Sequence, residues 1–517
     1  MSMIKLKIND IDIQAAEEES LLEASAKAGF RIPTMCHNGE LEHFTSCMLC
    51  VVKEKTSGKL FPSCTARAMD GMDVITDDEE ISEARKVALE LLLSEHAGDC
   101  EAPCRVSCPA FMDIPLMNRL IDAGQFEEAL DVVMKDIALP GVLGRICPAP
   151  CEGACKRKPI DEAVSICLLK RATADLTKKS LVFKKANPTG KRVAIIGAGP
   201  AGMSAAFYLQ LKGVQAVIYD KNTKPGGALM YAIADEELDK TVLAKEIENI
   251  QKTGVEFHLD KEIDASTFEK LRKEFDAVVV ATGDYSPQMD SWGLENNGRQ
   301  VAVQKGSYLT NLERVFAVGN VNRSVKMAIR SAAQGKEVVT AILQLFNGET
   351  VTGEIRKFNS TLGRLLPEEF PEYLKEGSAE KRQHPVGDKH AGFDKDLAQK
   401  EAARCLHCDC RKPDSCKLRD YAGEYQASKK RFSYTQRKPL KKVIQHDLLV
   451  YEPGKCIKCG ICVRLTAKQK ERFGLTFIGR GFDVEIGVPF GKNLAEAFEK
   501  TAKEVVKACP TGALAGL

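Results

Sequence analysis

Polar and apolar positions alternate from the start of the chain. Ile4, Leu6 and Ile8 are separated by Lys5 and Lys7, Asn9-Asp10 can turn the chain, and Ile11 and Ile13 resume the alternation, which predicts a β-hairpin. Ser20 is placed to cap a helix over Leu21 to Ala28 that Gly29 ends. From Glu80 to Glu95 the period becomes helical, with Ile81, Ala84, Val87, Ala88, Leu91 and Leu92 on one face, and residues 81 to 185 read as helical throughout. The short apolar run Val193 to Ile196 predicts a buried strand, followed by a helix through Leu211 and strands at Ala216 to Tyr219 and Ala277 to Val280. After Phe346 the chain turns polar and rich in Pro, Gly and charge, as an extended connector would.

Composition narrows the class. With 44% hydrophobic residues the chain can bury ordinary cores, and 517 residues suggest roughly three to five domains. The 74 basic and 72 acidic residues nearly cancel, so no overall field favours nucleic acid or an anionic membrane. The longest apolar stretches, such as Val338 to Phe346, are far short of a bilayer span, and direct membrane insertion is not expected. Nineteen cysteines are the main chemical signal. The start Met1-Ser2-Met3-Ile4-Lys5 lacks the apolar stretch of a secretory signal, so a cytoplasmic location and metal ligation are expected rather than structural disulfides.

The cysteines fall into four groups. Cys36, Cys47, Cys50 and Cys64 supply the four thiolates of a [2Fe–2S] cluster. With Arg31-Ile32-Pro33 before them and Asp70-Gly71-Met72 after, this stretch resembles the ferredoxin domain of the large iron–sulfur subunit of respiratory complex I and of iron-only hydrogenases. Ser46-Cys47-Met48-Leu49-Cys50 stands where those relatives have Gly-x-Cys-Arg-x-Cys, and zinc is the alternative occupant. The second group is Cys100, Cys104, Cys108, Cys147, Cys151, Cys155 and Cys167. Cys108 to Pro115 and Gly144 to Cys155 resemble the N-terminal domain of the glutamate synthase small subunit and dihydropyrimidine dehydrogenase, in which two [4Fe–4S] clusters share ligands crosswise. The resemblance implies one cluster on Cys100, Cys104 and Cys155 and another on Cys108, Cys147 and Cys151. His96 is the candidate substitute for a cysteine that the relatives have upstream, against a capping or surface role. Lys170 stands where relatives place a Gln or Glu ligand, and Cys167, three residues earlier on the same helical face, can reach the iron instead or remain a buried thiol.

Gly197-x-Gly199-Pro200-Ala201-Gly202 follows the strand at Val193, and Asp220 ends the next strand. Such glycines let backbone N–H groups approach a pyrophosphate, and the acid can hold a ribose. Pro225-Gly226-Gly227, Ala281-Thr282-Gly283 and Val318-Gly319-Asn320 resemble the FAD-contact motifs of flavoproteins with two dinucleotide-binding domains, with Asn320 where the family has Asp. The family's NAD(P)-binding insertion is missing: only Asp284 to Gln304 joins the second motif to the third, too few residues for a βαβ unit.

The third cysteine group, Cys405, Cys408, Cys410 and Cys416, follows Glu401-Ala402-Ala403-Arg404, which resembles a cluster lead-in of the same flavoproteins; a zinc knuckle is the alternative, and His407 is expected near the site or exposed. Cys456, Cys459 and Cys462, completed by Cys509-Pro510, have the bacterial ferredoxin spacing with one of two clusters retained.

The expected fold is multidomain α/β and α+β: a β-grasp [2Fe–2S] ferredoxin-like domain (1–80), a helical double [4Fe–4S] domain (81–185), a Rossmann-like FAD domain without the NAD(P) insertion (186–350), a connector with the Cys-rich motif (351–435) and a [4Fe–4S] ferredoxin-like domain (436–517). The implied cofactors are FAD, one [2Fe–2S] and about four [4Fe–4S] clusters. They describe an electron-transfer subunit of an anaerobic oxidoreductase hetero-oligomer, relaying or bifurcating electrons between a catalytic partner and ferredoxin or an NAD(P)-linked subunit. By resemblance the catalytic partner is a hydrogenase, formate dehydrogenase or aldehyde oxidoreductase. A self-sufficient FAD-dependent reductase and a scaffold with a vestigial flavin site are the alternatives. No acid–base pair is assignable, so no catalytic residue is named.

Overall fold

The computed structural model describes residues 3–178, 181–323, 327–387, 390–432, 437 and 439–517; Met1, Ser2 and the expected boundary at 435/436 lie outside them. The chain divides into two compact units, one formed by Met1–Glu101, Lys357–Lys375 and Cys408–Leu517, the other by Ala102–Arg356 and Glu376–His407. The expected connector is therefore not one linker: it contributes to both units. Among the described residues no helix is long and apolar enough to cross a membrane.

In the first unit a five-stranded sheet runs in the order Ile11–Ala16, Met3–Ile8, Asp73–Ile75, Val51–Glu54, Leu60–Pro62. The predicted hairpin forms because Asn9 and Asp10 adopt positive φ of 51° and 64°, which these residues tolerate and which a tight turn between twisted strands requires. Ile4, Leu6 and Ile8 then share the buried face. Helix Leu21–Lys27 starts in a reciprocal capping box, in which Ser20 Oγ accepts the Glu23 N–H at 3.2 Å and the Glu23 carboxylate accepts the Ser20 N–H at 3.1 Å. Helix Glu79–Ser94 is capped by Asp78 and buries Arg85, whose guanidinium donates to the carbonyls of Leu49, Val51 and Thr76 at 3.1, 2.9 and 2.8 Å. The C-terminal part adds the sheet Val443–His446, Leu449–Tyr451, Leu514–Gly516, a hairpin of Thr476–Ile478 with Glu485–Gly487, and helices Ile461–Lys468 and Ala502–Ala508.

In the second unit, six helices between Pro103 and Leu176 precede a five-stranded parallel sheet ordered Val315–Ala317, Ala277–Val280, Arg192–Ile196, Gln215–Tyr219, Glu256–His258. Every residue of the strand Ala277–Val280 is buried, which explains why these strands read as continuous apolar runs. Asp284 to Gln304 holds only the 3-10 helix Pro287–Trp292 and a β-bridge from Asn296 to Val301, and Trp292 stacks on Phe268 with ring centroids 4.7 Å apart.

A buried ionic network ties helix Lys395–Ala402 to the loop after Cys155. Arg404 and Glu401 are fully buried, with Nη1 donating to Oε1 at 2.9 Å, and Arg404 Nη2 reaches Asp161 at 3.2 Å. Glu401 also accepts the N–H groups of Ser165 and Gln383, each at 2.7 Å. Arg404→Ala is expected to destabilise this unit by about 3–5 kcal/mol, because it leaves a buried carboxylate without its counter-charge. Thermal unfolding of the purified chain measures this, and a loss under about 1 kcal/mol would mean that solvent already compensates Glu401.

Candidate iron–sulfur and dinucleotide sites

The first cysteine group is brought together as two pairs. The Cys36 and Cys47 sulfurs stand 3.4 Å apart, and Cys50 and Cys64 are in hydrogen-bond contact, with Thr45 Oγ1 3.3 Å from the Cys64 sulfur. Two pairs of close sulfurs match a diiron cluster, in which each iron takes two cysteines. In each pair one thiol donates to the other, which pulls Cys36 and Cys64 down and pushes Cys47 and Cys50 up. Arg85, through its bonds to Leu49 and Val51, fixes the loop between Cys47 and Cys50 from below.

Cys108, Cys147, Cys151 and Cys167 line one small cavity together with Lys170. Cys167 reaches it because Gly144 lets helices Pro140–Ile146 and Ile166–Leu176 touch: a Cβ there would lie 2.6 Å from Arg171 Cβ. The Cys167 thiol lies 3.5 Å from the Leu143 and Gly144 carbonyls and hydrogen-bonds Cys147, pulling that thiol down to about 6. Burial disfavours the charge of Lys170, but negative charge on the Cys167, Cys147, Cys108 and Cys151 sulfurs more than offsets this and holds it above an ordinary lysine. The position matched to a Gln or Glu ligand thus carries a buried cation, and Cys167 is the fourth cysteine lining the cavity.

The remaining cysteines are arranged differently from the expected grouping. The run from Cys405 to Cys416 passes between the two units after His407. In the second unit Cys405 neighbours Cys155, with Arg404 and Glu401 holding the backbone just before it. His407 is 3.4 Å from Arg119 Nη1. In the first unit Cys100 neighbours Cys410, whose N–H donates to the Cys100 carbonyl at 3.2 Å, and Cys416 neighbours both. The regrouping has a physical cause: short-range spacing cannot show that tertiary packing returns Cys410 and Cys416 to a loop more than 300 residues earlier. Among the described residues no three His, Cys, Asp or Glu side chains converge on a point as a single metal ion would require. Cys456, Cys459, Cys462 and Cys509 do line one small cavity, where burial pushes the Cys456 thiol to about 11 and Cys459 to about 12. Such thiols stay protonated until a metal displaces the proton.

The dinucleotide cleft has a volume of about 540 Å³. Gly197, with φ +113°, lies where a Cβ would overlap the Ala281 carbonyl, and a Cβ at Gly202 would overlap the Gly197 carbonyl. Gly199 caps helix Pro200–Leu211 and faces Gly227 so closely that a Cβ on Gly227 would sit 2.8 Å from Gly199 Cα. A backbone-lined notch at a helix N-terminus is the cradle a pyrophosphate needs. Asp220 accepts the Ala198 N–H at 2.6 Å and the Asn222 N–H at 2.8 Å. Thr282, Gly283, Gly319 and Asn320 also line the cleft, whereas Gly202, Pro225, Gly226 and Val318 of the expected motifs do not. Asn320 Nδ2 donates to Asp284 Oδ1 at 3.2 Å, so a carboxylate is retained beside the position where the family has Asp. Sequence reasoning missed Ile146 and Pro148 in the cleft wall. They flank Cys147, and their only signal was their place beside a cluster ligand.

Residues 1–79 match the 2Fe-2S iron–sulfur cluster binding domain family, residues 79–182 the dihydropyrimidine dehydrogenase domain II, 4Fe-4S cluster family, and residues 191–346 the pyridine nucleotide-disulphide oxidoreductase family. The NADPH-Fe(3+) oxidoreductase subunit beta of Geobacter sulfurreducens is 37% identical over 252 residues, covering 45% of this chain and 38% of that protein. The NADP(+)-dependent formate dehydrogenase subunit beta of Moorella thermoacetica is 38% identical over 283 residues, covering 48% and 40%. The small chain of glutamate synthase [NADPH] of Bacillus subtilis is 34% identical over 199 residues, covering 36% and 40%. The chain thus spans about two fifths of the length of these curated relatives. The chain joins a 2Fe–2S domain, a dihydropyrimidine dehydrogenase-type 4Fe–4S domain and a pyridine nucleotide-disulphide oxidoreductase domain, and it is similar over part of its length to subunits of an NADPH-Fe(3+) oxidoreductase, an NADP(+)-dependent formate dehydrogenase and a glutamate synthase.

Proposed function

We propose that this chain is the electron-transfer subunit of an oxidoreductase complex, carrying FAD in the cleft at Gly197, a [2Fe–2S] cluster in a β-grasp domain, and [4Fe–4S] clusters at the other cysteine groups. The observation that carries the reading is the shared wall at Cys147: its neighbours Ile146 and Pro148 line the dinucleotide cleft, while Cys147 itself lines the cavity with Cys108, Cys151 and Cys167. A flavin bound there exchanges one or two electrons, and an iron–sulfur cluster exchanges one. The residues would divide the work of holding it: the turn at Gly199 and the N-terminus of helix Pro200–Leu211 would offer backbone N–H groups to the pyrophosphate, Asp220 a carboxylate to the ribose, and Asn320 an amide to the ribityl chain. Ile146 and Pro148 give the side of the cleft nearest Cys147 an apolar lining.

Within the first unit, Cys36, Cys47, Cys416 and Cys459 belong to one hydrophobic cluster with Leu49, Leu89, Leu93 and Ile461. Arg464 Nη2 donates to the Cys36 carbonyl at 3.1 Å and to the Cys459 carbonyl at 3.2 Å. Ligands of three cysteine groups meeting in one apolar core favour a relay over a scaffold. The names of the relatives suggest a pyridine nucleotide or formate-linked partner. The short 3-10 connection of Asp284 to Gln304 supports a flavin that receives electrons through a partner rather than directly from NAD(P)H.

After strictly anaerobic purification the expected content is about 18 Fe and one FAD per chain with no zinc, from two irons plus four cubanes. Viologen radical should bleach flavin and clusters while NADPH alone does not, and rapid bleaching by NADPH would overturn the partner-fed reading. Lys170→Met is expected to lower the potential of the cluster at Cys108, Cys147, Cys151 and Cys167, with Lys170→Arg close to wild type. A unit charge about 6 Å away at an effective dielectric of about 20 is worth about 3 kcal/mol, on the order of 100 mV for one electron. A redox titration followed by electron paramagnetic resonance reads the shift, and an unchanged potential in Lys170→Met would place the cluster elsewhere.

A further inference from the structure

Cys100, Cys410 and Cys416 form a group that neither their spacing nor the matched domain families assign, and His96, four residues before Cys100, has a buried Nδ1 with no hydrogen-bond partner. Resting on the reading that the cysteine groups hold clusters, we propose that His96, Cys100, Cys410 and Cys416 together bind one [4Fe–4S] cluster, so that the Cys405-to-Cys416 run does not close a site by itself.

Several independent contacts converge on this set. The Cys410 N–H donates to the Cys100 carbonyl at 3.2 Å, and the Ser360 N–H points at the Cys100 sulfur at 3.4 Å. The backbone N–H groups of Arg419 and Leu418, in the first turn of helix Lys417–Glu424, face the Cys416 sulfur and offset part of the burial that disfavours its thiolate. Gly512 has no side chain where a Cβ would overlap the Cys410 sulfur. Arg419 makes a buried ion pair with Glu101 and donates to the Phe358 carbonyl at 2.8 Å, which fixes the start of the Cys416 helix against the Cys100 loop.

His96 supplies the fourth donor. Its Nδ1 is buried with no hydrogen-bond partner, whereas buried ring nitrogens in proteins are ordinarily satisfied. The loop that carries it is anchored on both sides of the group: the Ala97 N–H donates to the Gly454 carbonyl at 2.7 Å, and Gly98 packs on Lys455, which also neighbours Cys410. Lys429 is likewise shared, since it neighbours His96 and donates to Ser360 Oγ at 3.2 Å beside Cys100. An imidazole carries no charge where a thiolate carries one, so this centre has a less negative total charge than an all-cysteine cubane and a raised potential.

The test uses the full chain, purified anaerobically and reduced in steps, with pulsed electron paramagnetic resonance on protein carrying natural or ¹⁵N-labelled histidine. One reduced [4Fe–4S] signal should show a directly coordinated histidine nitrogen that changes with the label. His96→Cys should keep the iron content, abolish that coupling and lower the potential of this centre alone. Cys410→Ser and Cys416→Ser should each remove or reshape the same nitrogen-coupled signal and leave the signal of the cluster at Cys108, Cys147, Cys151 and Cys167 unchanged. Survival of the nitrogen-coupled signal in both serine variants, or full iron content with no coupled nitrogen in the wild-type chain, overturns the ligand set. If the coupled signal is present but no electron passes between flavin and clusters, the relay reading fails while this ligand set stands.

Discussion

The structure depends on one constraint: cysteine-bearing loops have irregular backbone, are buried, and still need partners for their carbonyl and N–H groups. Buried cations meet much of that need. Arg85 serves the two carbonyls of Leu49 and Val51 beside Cys50 and a third at Thr76, Arg157 serves the Arg404 carbonyl just before Cys405, Arg419 serves Phe358 near Cys100, and Lys412 donates to the Cys509 carbonyl at 2.7 Å. Each cation is far from the solvent, so its own cost is offset by several charge-assisted hydrogen bonds rather than one. The loops are thereby tied through their own backbone groups to the rest of the protein.

That arrangement explains motifs whose meaning is otherwise opaque. Glu401 and Arg404 in the lead-in to Cys405 are not aimed at a metal: they form a buried pair that also satisfies Ser165 and Gln383, and so holds Cys405 against the loop after Cys155. Gly144 has no role in a turn, and its value is the close contact with Arg171 that carries Cys167 to the cavity. Lys170, a poor ligand, becomes intelligible as a buried cation among four sulfurs.

Each unit gathers its own cysteines. The second places a cysteine-lined cavity against the wall of a dinucleotide cleft, and the first collects ligands of three groups around one apolar core. A low-dielectric interior of this kind limits solvent reorganisation and strengthens the effect of nearby charges, which is why the proposed roles of Lys170 and His96 rest on so few atoms.

Local rules in the sequence determined the hairpin at Asn9-Asp10, the Ser20 cap, the helix after Asp78, the parallel strands, the Gly197 turn and the ferredoxin spacing at Cys456. Each is set by contacts within a few residues or by an apolar period, so the amino-acid order is sufficient. It also separated Cys108, Cys147 and Cys151 from the other cysteines, through resemblance rather than geometry. Only the tertiary structure decided that Cys100 neighbours Cys410 and Cys416, that Cys155 neighbours Cys405, that Cys167 completes the cavity beside the cleft, and that the stretch after Phe346 builds both units. Those relations are long-range: they arise where helices and loops distant in sequence pack to bury apolar surface and satisfy polar groups, and no local spacing encodes which distant loop arrives.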